Sequence, residues 1–288
     1  MREFKILAVV LFFTAVIYYG VEPFAHSQMH PHVPPADFAF KDLGHTDKVG
    51  DPAKGAENFM AAGCTGCHGV KSQGIPAPMD DAAASGAFGV VPPDLSTAGA
   101  MYDRNFLVAL IKEPTKALKV EHKFNETKLH PMIAFFGLGG DINQEVADIV
   151  AYLQSIAPKE MTPKEIFADA CQRCHDIKYD KVYSRSDKEA LKAYMGTLPP
   201  DLSMMIRSKG EEYLHTFINN PQKQLAGTSM PRVGLNEKAQ TQVIAYLEEV
   251  GDSKKAERND LGYKLVGYMA LFTLLALLWK LKIWREVH

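Results

Sequence analysis

The chain has 288 residues, 47% of them apolar, with 32 Lys and Arg against 34 Asp and Glu. That length leaves room for more than one domain, and that apolar share excludes a disordered chain. A net charge of −2 excludes the basic footprint expected of a nucleic-acid-binding protein.

From Ile6 to Val21 no residue is charged, and the apolar character resumes at Phe24 past Glu22. A helix from Phe4 to Ala25 just spans a hydrocarbon core of about 30 Å, at about 1.5 Å rise per residue. A cleaved signal peptide also begins with a charge and an apolar run, but no small-x-small cleavage site follows here. Residues 1–25 are therefore read as a retained transmembrane helix. Residues 26–46, with "HSQMHPHVPP", read as a stiff Pro/His-rich linker. A metal site at His26, His30 and His32 is the alternative there.

A first unit is placed at residues 47–158 and a second at 159–252. The first opens on "DPAKGAENFMAAGC", a helix from Pro52 with Gly55 and Phe59 one turn apart. The second opens on "TPKEIFADAC", with Thr162 as N-cap, Pro163 in the first turn and Glu165 completing a capping box. Each helix runs into the same word: Cys64, Cys67 and His68 in "AGCTGCHGV", then Cys171, Cys174 and His175 in "DACQRCHDI". All four cysteines of the chain sit in these words.

Three chemistries use Cys-x-x-Cys. A thioredoxin-like site wants a βαβ setting, and a zinc ribbon wants its two pairs 15–20 residues apart. Here 103 residues separate Cys67 from Cys171. Cys-x-x-Cys-His is the spacing for covalent haem c attachment: both thiols add to vinyl groups and the adjacent His binds the iron. Two words imply two covalently bound haem c groups.

The sixth ligand of each iron is argued from an internal duplication. At an offset of 107, "VPPDLS" (91–96) matches "LPPDLS" (198–203), and "LVALIKEPTKAL" (107–118) matches "LHTFINNPQKQL" (214–225). At an offset of 94, "VAYL" (150–153) matches "IAYL" (244–247). Met132 and Met230 differ by 98, between those limits, and are the expected axial pair. Met79 and Met101 have only serines at the matching positions, and Met195, Met204 and Met205 read as packing. His122 and His130 are the rivals in the first unit, and His215 in the second. Asp141 caps a helix that puts Val146, Ile149, Val150 and Leu153 on one face, and the helix from Asn236 repeats it.

Residues 253–260 read as a solvated connector. Residues 261–288 form a terminal anchor: Leu265–Trp279 is uninterrupted, and Trp279 and Trp284 lie where an interfacial aromatic belt would fall. Arg2 and Lys5 precede the first span, and Lys280, Lys282 and Arg285 close the last. Both termini are then cytoplasmic, with the polar middle outside, in the periplasm of a bacterial inner membrane.

Gly-x-x-x-Phe before Cys-x-x-Cys-His, a Pro-x-Leu turn, a Met and a helix ending Tyr-Leu resembles the class I cytochrome c fold. The resemblance implies an all-α chain of two tandem class I domains flanked by transmembrane helices. It also implies that the Pro93 and Pro200 carbonyls orient His68 and His175, and that Leu95 and Leu202 press on the haem faces. Tyr152 and Tyr246 pack where the terminal helices of each domain cross. End to end, the chain resembles the di-haem cytochrome c1-type subunit of certain bacterial cytochrome bc1 complexes. That implies electron relay from a Rieske iron–sulfur protein, beside cytochrome b in a dimeric complex, to a soluble cytochrome c or a terminal oxidase. No catalysis is expected from this chain alone. A subunit of a cbb3-type oxidase or periplasmic dehydrogenase, and a di-haem peroxidase, are the competing readings.

Overall fold

The computed structural model describes residues 2–29, 33 and 35–287. His30 and His32 of the alternative metal site lie outside the described residues, as do Met1 and His288. Among the described residues there are helices, turns and isolated bridges but no strand.

The N-terminal apolar run is one continuous rod: α1 (Arg2–Val16), a π-turn (Ile17–Val21) and α2 (Glu22–Met29). Pro23 explains the π-turn. Proline offers no N–H to the preceding turn, and the helix widens so that Glu22 N–H bonds back to Ile17 O. The rod extends past the expected end at Ala25, so the first residues of the linker are helical. Of the rest, Asp37 exchanges hydrogen bonds with Asn219 at 3.1 and 3.2 Å, while the Phe40 ring lies 5.8 Å from Phe106. The segment is thus a strap packed across both units, with Phe40 almost wholly buried.

The first unit comprises α3 (Pro52–Ala61), α4 (Asp81–Phe88), α5 (Ala98–Met101), α6 (Arg104–Lys112), α7 (Pro114–Ala117) and α8 (Ile142–Ile156). The second repeats them as α9 (Pro163–Ala170), α10 (Lys188–Met195), α11 (Met205–Lys209), α12 (Glu211–Asn219), α13 (Pro221–Gln224) and α14 (Glu237–Gly251). The expected caps form: Asp141 and Asn236 accept from the first turns of α8 and α14, and Thr162 with Glu165 makes the reciprocal capping box.

In both units the first helix packs against the last, α3 on α8 and α9 on α14. At Gly55 the α3–α8 crossing is so close that a Cβ would fall 1.9 Å from the Asp148 carbonyl oxygen. The second unit holds Thr162 at the matching position, where it caps a shorter α9. Buried Phe59, Val70, Ile149 and Leu153 form one small cluster. A larger one runs through both units, joining Phe106 and Val146 to Phe167 and Ile244. Burial at about 25 cal/mol per Å² of apolar surface therefore holds the units to each other as well as internally.

α15 (Lys255–Val287) is a single helix. The expected connector at 253–260 is for the most part its first turns, because nothing in "KAERND" stops a helix. Arg2–Met29 and Lys255–Val287 are both long and apolar enough to cross a membrane. Lys280 Nζ donates to Glu3 Oε2 at 2.9 Å, bringing the two terminal ends of these helices together.

Candidate functional site

Each cysteine word follows the end of a short amphipathic helix and closes as one tight turn. In the first, Gly63 takes φ +71, and the N–H groups of Cys67 and His68 return to Cys64 O at 3.2 and 3.0 Å. In the second, the N–H groups of Cys174 and His175 return to Cys171 O, both at 3.0 Å. This geometry sets the two thiols one turn apart, with the imidazole next in line.

The duplication extends to individual hydrogen bonds. His68 Nδ1–H donates to Pro93 O at 2.9 Å, and His175 Nδ1–H donates to Pro200 O at the same 2.9 Å. Leu95 N–H bonds Gly69 O at 2.8 Å, and Leu202 N–H bonds Asp176 O at 2.9 Å. The Pro-x-Leu turn is therefore hung from the residue after each histidine, and its proline carbonyl fixes the ring. Burial lowers the pKa of both imidazoles, against the raising effect of the proline carbonyl. The neutral ring with its proton on Nδ1 leaves the Nε2 lone pair open for a metal.

Three of the thiols are held protonated. Burial raises the pKa of Cys64 and Cys174 and pushes Cys171 up to about 12. Zinc requires thiolates converging on one point. Among the described residues no three His, Cys, Asp or Glu side chains converge in that way.

Leu95 and Leu202 are half-buried against the core. The Tyr152 ring lies 5.5 Å from Phe59, and the Tyr246 ring 5.2 Å from Phe167, at the two helix crossings. Met132 and Met230 are half-buried in the non-helical segments before α8 and α14. The rival histidines are engaged elsewhere. His130 Nδ1–H donates to Met132 O at 3.0 Å, and its Nε2 accepts from Tyr194 O–H at 3.2 Å. His215 Nδ1 accepts from Gln240 Nε2 at 3.0 Å. His122 is exposed, on the wall of a groove with Asp42, Lys119 and Glu121.

Among the described residues three buried guanidinium nitrogens have no protein partner: Arg173 Nε inside the second word, and Arg232 Nε and Nη1 two residues past Met230. A buried donor of this kind needs an acceptor. Haem carries two propionate carboxylates, so these donors, the paired thiols and the carbonyl-oriented imidazoles all fit that group. Arg173, Arg232 and Tyr194 were not legible in the sequence. The middle positions of Cys-x-x-Cys carry no constraint of their own, and Tyr194 acts across the unit boundary. A family model described as Cytochrome c matches residues 52–157 and 162–251. No curated protein and no solved structure matches.

Proposed function

The chain belongs to the cytochrome c family and carries two of its domains in tandem, and from that premise we propose that it is the di-haem cytochrome c1-type subunit of a bacterial cytochrome bc1 complex. Haem-based electron transfer follows from the family. Haem c, when bound, supplies an iron that takes up and releases one electron at a time. Everything else is done by the chain's own residues.

Cys64 and Cys67, and Cys171 and Cys174, would hold the two haems through thioether bonds, formed by adding each S–H across a vinyl group with no oxidant required. His68 and His175, oriented by Pro93 and Pro200, would each offer a ring nitrogen to an iron. Met132 and Met230 would offer thioethers, a ligand type that favours the reduced iron and raises the potential. Held by these side chains, each haem would relay electrons rather than bind a substrate.

Electrons arrive singly from a Rieske iron–sulfur protein beside cytochrome b, cross the two domains, and leave to a soluble cytochrome c or a terminal oxidase. The two apolar helices hold the domains at the periplasmic face of the inner membrane, with both chain ends cytoplasmic. The Lys280–Glu3 pair supports a common side for those ends. Arg2, Lys5, Lys282 and Arg285 favour the cytoplasmic one. As part of such a complex the subunit occurs in a dimer.

The observation that carries this reading is the twin 2.9 Å bond from histidine to proline carbonyl, one in each cysteine word's domain. The test is a redox-titrated absorption spectrum of the purified membrane complex, with a haem count on the acid–acetone-extracted polypeptide. Two c-type haems beside two b-type haems support it. Fewer than two covalent haems per chain overturn it, and two c haems without any b haem move the subunit to a dehydrogenase.

A further inference from the structure

The side chain of Arg173 leaves the second cysteine word and crosses to the first domain. Its Nη1 donates to Val91 O at 3.4 Å. Val91 is two residues ahead of Pro93, whose carbonyl receives the His68 proton at 2.9 Å. The same Val91 is held from the other side: its N–H donates to Ser186 Oγ of the second domain at 3.0 Å. Ser186 N–H in turn bonds Arg173 O at 3.3 Å. The segment that orients the histidine of one site is therefore clamped, at both backbone groups of one residue, by the attachment region of the other.

A guanidinium is charged at every physiological pH. Among the described residues Arg173 makes no ion pair: Val91 O is a neutral acceptor, and Nε has no protein partner. A fixed charge beside a site shifts the balance between that site's charge states.

We propose that Arg173, though part of the second haem-attachment word, is a positioning and tuning residue of the first site: it clamps the His68-orienting segment and raises the reduction potential of the haem bound there. The proposal rests on the di-haem reading above. Oxidation places one further positive charge on an iron site. A fixed cation nearby opposes that step and favours the reduced form, so its removal lowers the midpoint.

The experiment is a spectroelectrochemical titration of the full-length protein in detergent, with Arg173→Gln, Arg173→Lys and Ser186→Ala. Met132→His and Met230→His assign each midpoint to its domain. Arg173→Gln is expected to shift the one-electron equilibrium of the His68 site roughly tenfold towards the oxidised form, about 59 mV for a one-electron couple. Arg173→Lys keeps the charge and most of the midpoint. Ser186→Ala leaves the attachment word intact and gives a smaller fall at the same site, which decides the matter should Arg173→Gln fail to load. A shift confined to the His175 site, an unmoved His68 site in the variants that load, or an equal fall in Arg173→Lys would overturn the proposal. Fewer than two haems in the unsubstituted chain would instead remove the di-haem reading.

Discussion

Gly234 lies so close to the ring of Phe106 that a Cβ built on it would fall 2.1 Å from Cδ1. The two residues belong to different domains. Beside them Asp103 N–H bonds Gly234 O at 2.9 Å, and Asn236 N–H bonds Met101 O at 2.9 Å. The segment that carries Met230 is thus seated on α5 and α6 of the first domain. Gly234→Ala is expected to incur the left-handed backbone cost at φ +77, about 1–2 kcal/mol, and an overpacking cost of about 1–3 kcal/mol. Gly227→Ala has φ +79 with nothing within 4 Å, so it incurs only the first. Thermal unfolding of the solubilised protein, followed by circular dichroism, compares them. Equal losses would mean that the Phe106 contact contributes nothing.

The two methionines should act independently. Met132→His and Met230→His are each expected to lower one midpoint and leave the other in place, because imidazole favours ferric iron more than a thioether does. Each should remove about half of the near-infrared thioether absorption, and the double variant all of it. A band that survives both changes would assign the axial ligands to other residues.

Two ion pairs across the domain contacts give stability a definite pH dependence. Arg185 Nε and Nη2 grip Asp81 at 2.8 and 2.7 Å, and these bonds hold its carboxyl below the usual range. For Asp42 burial pushes upward, but Arg232 and Lys119 outweigh it and the net direction is again down. A depressed folded-state pKa contributes stability above the unfolded value of about 3.9, and the contribution is lost as pH falls through the folded value. Stability should therefore hold down to about pH 5 and fall below about pH 4, with the fall reduced in Asp42→Asn and Asp81→Asn. At neutral pH Asp42→Asn should cost more than Asp81→Asn. It strands Arg232, only 2% exposed, although solvent around the exposed Asp42 screens the pair and holds the cost to about 1 kcal/mol. Chemical denaturation across pH provides the check.

The repeat was legible because covalent haem chemistry fixes residue types at fixed spacings, and a duplication exposes them twice. Helix starts at Thr162, Asp141 and Asn236 were legible for a local reason: a capping side chain and its N–H partners lie within three residues. What stayed hidden depends on distant partners. The strap at Asp37–Phe40 resembles linker by composition, yet it meets Asn219 and Phe106, far away in the sequence. The glycine signature before the cysteine word applied to the first domain only. In the second, Thr162 occupies the position of Gly55, and the aromatic contact is made from Phe167, one residue nearer the word than Phe59.

The segment bearing Met132 is held by the second domain through His130. Its Nε2 accepts from Tyr194 O–H at 3.2 Å, and Phe124 meets the ring edge-on at 4.9 Å. Lys123 and Lys128 donate to the carbonyls of Met195, Ala193 and Tyr194 at 2.9, 3.2 and 2.8 Å. These are last-turn carbonyls of α10, without helical partners and at the negative end of its dipole. Burial pushes the Tyr194 hydroxyl up to about 12, so it remains a donor. Tyr194→Phe should cost about 1 kcal/mol for the lost bond and leave a bare imidazole nitrogen two residues from the thioether. That nitrogen then competes for the first iron. Part of the thioether band should disappear, and a low-potential population should emerge at the first site alone. Lys128→Met loosens the same contact without freeing an imidazole, so its band should persist. Equal loss of the band in both variants would mean that general loosening, rather than the freed His130 nitrogen, displaces Met132.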